Sequence, residues 1–293
     1  MTQSEKKPHI ALFGLGMIGA GMAGTLLDAG YPLTIYNRTR EKAEPYAARG
    51  ARIASSPREA ASEADVLVCI VADDDASRGI WTGVDGALAG VESGSLLIDA
   101  GTLSVGWITE LAAAAKEAGC ELLDTPVTGS RDQAAAGQLT FLVGGSAEAL
   151  DRARPLLEVM GKRILHIGPQ GSGALMKLVN NFLCGVHAAS LAEAVAMIEK
   201  SGLDRKRARN MLETGAPASP LVKIVYERMT ERDYTPNFHL ELMAKDLAYA
   251  CREADRLGLE LKTGSGALAR FVSARDNGHA LEDFAAVVEP LRE

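Results

Sequence analysis

The 293-residue chain is poor in cysteine, in excess positive charge and in long apolar runs. Its four cysteines, Cys69, Cys120, Cys184 and Cys251, stand far apart and form no CxxC pair. That spacing argues against disulfides and a zinc site, and fits buried thiols in a reducing compartment. Lys and Arg number 31 against 38 Asp and Glu, a net charge of −7, which argues against a nucleic-acid partner. No stretch approaches an uninterrupted membrane span, and the opening MTQSEKKP is polar without an apolar signal core. A cytoplasmic protein with no membrane partner is expected. Repeats and low-complexity tracts are missing as well, and the length suffices for one large or two medium domains.

What is present is glycine at chemically telling spacing. The run from His9 to Thr39 reads as a buried strand (His9 to Phe13), a glycine turn, a helix and a second strand (Leu33 to Tyr36). Gly14, Gly16 and Gly19 fall at GxGxxG spacing. The first permits a tight turn, the second lets backbone approach a pyrophosphate, and the third lets the helix pack on the strand. The helix N-terminus, with Met17 and Ile18, offers N–H groups and a positive dipole end to phosphates. A strand leads in and an apolar helix leads out, so the motif predicts a dinucleotide site. At the end of the second strand an acidic residue would hold the ribose hydroxyls of NAD, but the chain has Asn37-Arg38-Thr39-Arg40. These groups suit the 2′-phosphate of NADP, with NAD possible; the alternative is that the arginines are solvated residues opening the next helix.

The α/β alternation continues through a helix at about 41–48, a short strand at 52–54 and a helix opened by Ser56 as N-cap with Pro57 at its first position. Strands follow at 65–71, 95–99, 120–124, 139–143 and 163–167, with helices at about 105–118 and 147–160. Val71 and Ala72 end the first of these strands and are expected beside the cofactor, because ligands collect at the carboxyl ends of strands in open α/β sheets. The acids Asp73, Asp74 and Asp75 read as caps of the following helix, and no metal is expected. Two strand ends run into small and hydroxylated residues, Ala100 to Ser104 and Thr125 to Ser130, and a glycine loop there can aim N–H groups at a carboxylate.

From about Ala174 the pattern turns helical to the C-terminus, with breaks near Ser201-Gly202, Gly215-Ala216-Pro217, Tyr234-Thr235-Pro236 and Leu257-Gly258. The fold class is therefore α/β: a Rossmann-type doubly wound sheet over residues 1–170, then an all-α domain over 171–293 entered through a long spine helix. That helix, about 174–200, would reach about 40 Å. Near its start Lys177, Asn180 and Asn181 interrupt an apolar run. Lys177 and Asn181 share a face, with Gly173 a turn earlier leaving room for a small molecule. Either the polar group serves function, since buried lysine and asparagine are costly unpaired, or it is a polar helix end in solvent.

Taken together, FGLGMIG with NRT, DAGT, DTPVTGS followed by AAAGQLTFLVGG, GSGALMKLVNN and NFHLELMAKDL resemble the β-hydroxyacid dehydrogenase family over essentially the whole chain. That family includes 3-hydroxyisobutyrate dehydrogenases, tartronate semialdehyde reductases and glyoxylate/succinic semialdehyde reductases. The resemblance implies that Lys177 is the general acid or base and Asn181 orients the substrate. It implies a carboxylate site at Thr128, Gly129 and Ser130. Thr102 and the Lys245-Asp246 pair would close around substrate and nicotinamide, and Phe238 would pack over the site. A homodimer or homotetramer is implied too.

Departures from the family pattern bear on the substrate. Thr128 replaces the usual serine, Gly101 stands where serine usually precedes the threonine, Val105 where proline is common and Thr25 where asparagine is common. Arg131-Asp132-Gln133-Ala134 follows the carboxylate loop in place of further glycines, which resembles the glyoxylate/succinic semialdehyde group and makes Arg131 a candidate substrate ligand. The expected activity is NADP-dependent interconversion of a small aldehyde acid and its hydroxy acid by hydride transfer. Alternatives are a 3-hydroxyisobutyrate or related dehydrogenase, an imine reductase, 6-phosphogluconate oxidation, and a non-catalytic NADP-binding module. Imine reductases usually carry Asp or Tyr in place of Lys177, and 6-phosphogluconate oxidation needs a longer helical domain.

Overall fold

The computed structural model describes residues 7–292; most of the polar MTQSEKKP opening lies outside the described residues. The chain forms two compact units, Met1–Lys177 and Leu178–Glu293.

In the first unit, β1 (Ile10–Phe13), α1 (Met17–Asp28), β2 (Leu33–Tyr36), α2 (Glu44–Ala47) and β3 (Arg52–Ile53) are followed by α3 (Pro57–Ala61) and β4 (Val66–Cys69). Next come α4 (Asp74–Trp81), β5 (Leu96–Asp99), α5 (Val105–Glu117), β6 (Glu121–Asp124) and β7 (Val127–Thr128). The unit continues with α6 (Arg131–Ala135), β8 (Leu139–Gly144), α7 (Ala147–Met160) and β9 (Gly161–Gly168), and α8 (Ser172–Ser201) starts within it. The sheet order is β3-β2-β1-β4-β5-β6-β8-β7, with β9 beside β8. The strands β1 to β6 are parallel, and β8 runs antiparallel to β6 and β7. Order reverses between β1 and β4, so a crevice opens at their carboxyl ends.

Strand periodicity sorts side chains onto two faces. Ile10, Leu12, Val66, Val68, Leu96 and Ile98 join one apolar cluster with Leu26 of α1 and Leu157 of α7. The alternate residues Ala11, Phe13, Leu67, Cys69 and Leu97 join another with Trp81 and Leu111. Burial on both faces is why these strands read as continuous apolar runs. Ser56 caps α3 through Glu59 N–H, and Asp73 caps α4 through Ala76 N–H. The helix expected at 41–48 is divided into a 3₁₀ turn, Arg40–Lys42, and α2. Pro45 has no N–H to continue the ladder, so the short segment cannot run as one helix.

The second unit contains the rest of α8, then α9 (Arg205–Thr214), α10 (Pro220–Glu231), α11 (Leu240–Arg256) and α12 (Lys262–Ala274). The breaks fall where glycine and proline predict them. A C-terminal 3₁₀ segment, Phe284–Leu291, buries Ala285, Ala286, Val287 and Val288 in the helical core. Arg292 anchors it by donating to Glu199 of α8, Nη2 to Oε1 at 2.7 Å, and to Met229 O at 2.8 Å.

At 30 residues, α8 corrects the expectation that no segment approaches a membrane span: it is long and apolar enough by length and composition alone. A helix that packs into a protein core has the same composition, and 44% of its most apolar window is buried. None of the four cysteines forms a disulfide; Cys69 and Cys120 are buried and the other two half-buried.

Candidate active site

The glycine turn is built by backbone contact. Gly14, at φ +99°, sits so close to the loop after β4 that a Cβ there would lie 2.2 Å from Ile70 O, and one on Gly19 would lie 2.1 Å from Gly14 O. Gly16 differs: it precedes α1 without a side-chain cap bond, and a Cβ added to it meets nothing within 4 Å. The first turn of α1, with Met17 and Ile18 half-buried, therefore faces open space with its positive dipole end, a cradle that fits a pyrophosphate.

Asn37 ties this turn to the end of β2. Its Oδ1 accepts Leu15 N–H at 2.8 Å and its Nδ2 donates to Thr39 O at 2.7 Å. Arg38 and Thr39 are exposed, and Arg38 makes no ion pair or side-chain hydrogen bond among the described residues. These residues fit a 2′-phosphate, and Asn37 acts as the strut between the loops.

Val71 and Ala72 follow β4, and Val71 Cγ1 would lie 3.1 Å from a Cβ on Gly14. A Cβ on Gly101 would lie 3.1 Å from Val71 O, so the loop carrying half-buried Thr102 reaches the same edge. That loop hangs on Asp99. Its carboxylate accepts from Gly101 N at 2.9 Å, Ser77 Oγ at 2.9 Å and Trp81 Nε1 at 2.8 Å. Burial pushes this carboxyl above its ordinary range, against the pull of those three bonds.

The proposed carboxylate loop is less open than its sequence suggests. Thr128 ends β7 opposite Thr140, and Gly129 is exposed at φ +150°. Ser130 instead closes a capping box: its hydroxyl accepts Gln133 N–H at 3.2 Å, and its own N–H donates to Gln133 Oε1 at 2.8 Å. The Ser130 N–H is thus committed, while its hydroxyl proton remains available to a ligand. Arg131 is the first residue of α6 rather than a loop residue, 71% exposed and 3.7 Å from Asp132.

The start of α8 is held by a residue that the sequence pattern did not single out. Asp124, the last residue of β6, is fully buried. Its Oδ1 accepts Gln170 Nε2 and Gly171 N at 2.8 Å each, and Oδ2 accepts Ala174 N at 2.8 Å. Loss of water outweighs these bonds and raises its pKa to about 6. The expectation that Gly173 leaves room for a small molecule is wrong: a Cβ there would lie 2.3 Å from Leu142 O and 2.5 Å from Asp124 O. The protein's own backbone fills that space. Lys177 lies one turn beyond Ala174 and is half-buried.

In the helical unit, Asn181 is only 4% exposed. Its Nδ2 donates to Asp246 Oδ2 at 2.5 Å, and its Oδ1 accepts from Asn180 Nδ2 at 2.9 Å. Lys245 Nζ lies 2.9 Å from Asp246 Oδ1 as an ion pair. Asn181, Lys245 and Asp246 are thus brought together. Phe238 donates its N–H to buried Asp283, and its ring meets Phe284 edge-on, 6.1 Å between centroids.

A doubly wound sheet, a glycine cradle at its switch point and a half-buried lysine on the helix that follows define a nicotinamide-dinucleotide dehydrogenase of the Rossmann class. Residues 9–168 match the family model described as the NAD binding domain of 6-phosphogluconate dehydrogenase. Residues 171–291 match that described as NAD-binding of NADP-dependent 3-hydroxyisobutyrate dehydrogenase. The chain is 36% identical to an NAD-dependent L-serine dehydrogenase of Pseudomonas aeruginosa, over 95% of this chain and 96% of the relative. It is 32% identical to the chloroplastic glyoxylate/succinic semialdehyde reductase 2 of Arabidopsis thaliana, over 97% of this chain and 79% of the relative. Among solved structures, a 3-hydroxyisobutyrate dehydrogenase of Mycobacterium tuberculosis with L-serine superposes with TM-score 0.88 at 32% identity, covering 98% of this chain and all of the other. The chain belongs to the β-hydroxyacid dehydrogenase family. It is an NAD(P)-dependent dehydrogenase acting on hydroxyl groups of small hydroxy acids.

Proposed function

We propose that the chain reduces short aldehyde acids with NADPH in preference to NADH. The observation that carries the cofactor choice is the end of β2, where Arg38 and Thr39 are exposed and no acidic side chain stands. When bound, the cofactor supplies the hydride. The chain's own residues do the rest: Lys177 gives a proton to the carbonyl oxygen as it gains charge, and the reverse reaction returns it. Asn181 orients that oxygen while held by Asp246 and Asn180. The Ser130 hydroxyl, Thr128 and the backbone at Gly129 hold the substrate carboxylate, with Thr102 and Lys245 at the nicotinamide side. In this reading residues 1–170 bind the cofactor, and 171–293 form the substrate and oligomer-forming domain. The exposed Val179, Leu183 and Met197 on α8 support a homodimer or homotetramer.

Arg131 supports succinic semialdehyde over glyoxylate, because its exposed guanidinium at the start of α6 would meet a second, distant carboxylate. A second reading, oxidation of L-serine, is favoured by the serine dehydrogenase relative and the L-serine complex of the M. tuberculosis enzyme. Turnover of glyoxylate, succinic semialdehyde, 3-hydroxyisobutyrate and L-serine with each cofactor separates the two. Faster L-serine oxidation with NAD than aldehyde reduction with NADPH would overturn the proposal. Arg131→Ala should raise KM for succinic semialdehyde more than for glyoxylate; equal shifts would remove Arg131 from the substrate site.

A further inference from the structure

We propose that Asp124 is a positioning residue for the reaction: its carboxylate fixes the first turn of α8, and hence Lys177, to the strand end from which the substrate-carboxylate loop departs. The inference rests on the reading of Lys177 as proton donor. A helix is ordinarily capped by the residue just before it. Here the acceptor for Gly171 and Ala174 N–H comes instead from 47 and 50 positions earlier in the chain. Asp124 therefore does two things at once. Its backbone leads into Thr125, whose N–H donates to Asp99 O at 2.7 Å, and on to Thr128, Gly129 and Ser130. Its side chain holds the helix that carries the lysine.

Glycine makes the seat close. A Cβ on Gly144 of β8 would lie 2.5 Å from Asp124 Oδ1, and Gly173 rests directly on Leu142 O and Asp124 O. Lys177 follows Ala174 by three residues, about 4.5 Å of helix rise, so slack in the first turn is passed to it within one turn.

The three donors also make this cap sensitive to protonation. Gln170 Nε2 and Gly171 N already occupy Oδ1 and Ala174 N points at Oδ2, so a proton on Oδ1 displaces a bond, and one on Oδ2 leaves a neutral, weaker acceptor for Ala174 N–H. The carboxylate also faces Gly144, the Gly173 backbone and its own N–H. Its titratable register neighbour on β5, Asp99, turns its own carboxyl to Ser77, Trp81 and Gly101. Lys177 is the ionisable side chain in the first two turns of α8.

The test is the pH dependence of kcat for Asp124→Asn with NADPH and succinic semialdehyde or glyoxylate, whichever the wild type turns over faster. Asparagine keeps one acceptor oxygen but turns an NH₂ toward Ala174 N–H. The wild type should lose kcat as pH falls through about 6. The variant should show kcat lower by roughly ten- to a hundredfold at pH 7.5, the order expected for an ångström-scale misplacement, with no acid limb and unchanged NADPH affinity. A variant with wild-type kcat and pH profile, however unstable, overturns the proposal. Lys177→Ala separates the two ideas: if it is inactive while Asp124→Asn is normal, only the role of Asp124 fails. If Lys177→Ala keeps its turnover, the reading of Lys177 fails and takes the positioning role with it. Should Asp124→Asn not fold, amide exchange in the wild type decides. After correction for intrinsic rates, Gly171 or Ala174 N–H should lose protection below pH 6, and unchanged protection at both overturns the proposal.

Discussion

Replacing Asp124 by asparagine should also abolish a pH dependence of folding stability that the wild-type carboxyl imposes. The group is fully buried, and its pKa stands at about 6 against an ordinary 3.8. Folding thus raises the affinity for the proton. The stability from the bound proton is fully present below pH 3.8 and is lost as pH rises through about 6. A rise of about two pH units corresponds to about 3 kcal/mol over the whole window, of which about 1.4 kcal/mol falls between pH 5 and 7.5. Urea unfolding followed by tryptophan emission reads this directly, because Trp81 and Trp107 are the chain's two tryptophans and both lie in the first unit. The wild type should lose about 1.4 kcal/mol more stability than the variant on going from pH 5 to 7.5. Asp99, also pushed up by burial, titrates in both proteins and cancels in the difference. Identical slopes, or a wild type that gains stability relative to the variant over this range, would refute the reasoning. The ionised carboxylate would then cost the fold nothing, and its hydrogen bonds would outweigh its burial.

Two substitutions address the cofactor site. Arg38→Ala should weaken NADPH by about 1.5–3 kcal/mol, roughly ten- to a hundredfold, by removing charge-assisted bonds to the 2′-phosphate, and leave NADH affinity unchanged; titration by fluorescence with both cofactors checks this, and parallel losses would refute it. Gly16→Ala should fold normally, since its Cβ meets nothing within 4 Å, yet bind either cofactor poorly because the methyl enters the pyrophosphate cradle. Gly14→Ala should fail earlier, in thermal melting, because its Cβ would lie 2.2 Å from Ile70 O; two variants with equal melting and equal binding would show that the cradle is placed wrongly.

Much of the architecture was legible because it is local. The glycine spacing, the alternation that sends Ile10 and Leu12 to one face and Ala11 and Phe13 to the other, and the Ser56-Pro57 helix start all arise within a few residues. So do the breaks between α8 and α12, where glycine and proline interrupt helix hydrogen bonding. Lys177 and Asn181 could be picked out for the same reason, as polar residues four apart in an apolar helix.

Tertiary structure decided what depends on partners far along the chain. Asn181 meets Asp246 across 65 positions and Arg292 meets Glu199 across 93, distances over which no periodicity carries information. Gly173 shows the limit most plainly. A small residue beside a functional one marks a close approach, but sequence cannot say whether ligand or backbone comes close, and here the carbonyls of Leu142 and Asp124 do. Asp124 itself reads as an ordinary strand-end acid. Only the fold, by drying it and aiming three donors at it, turns it into the seat of the helix that carries Lys177.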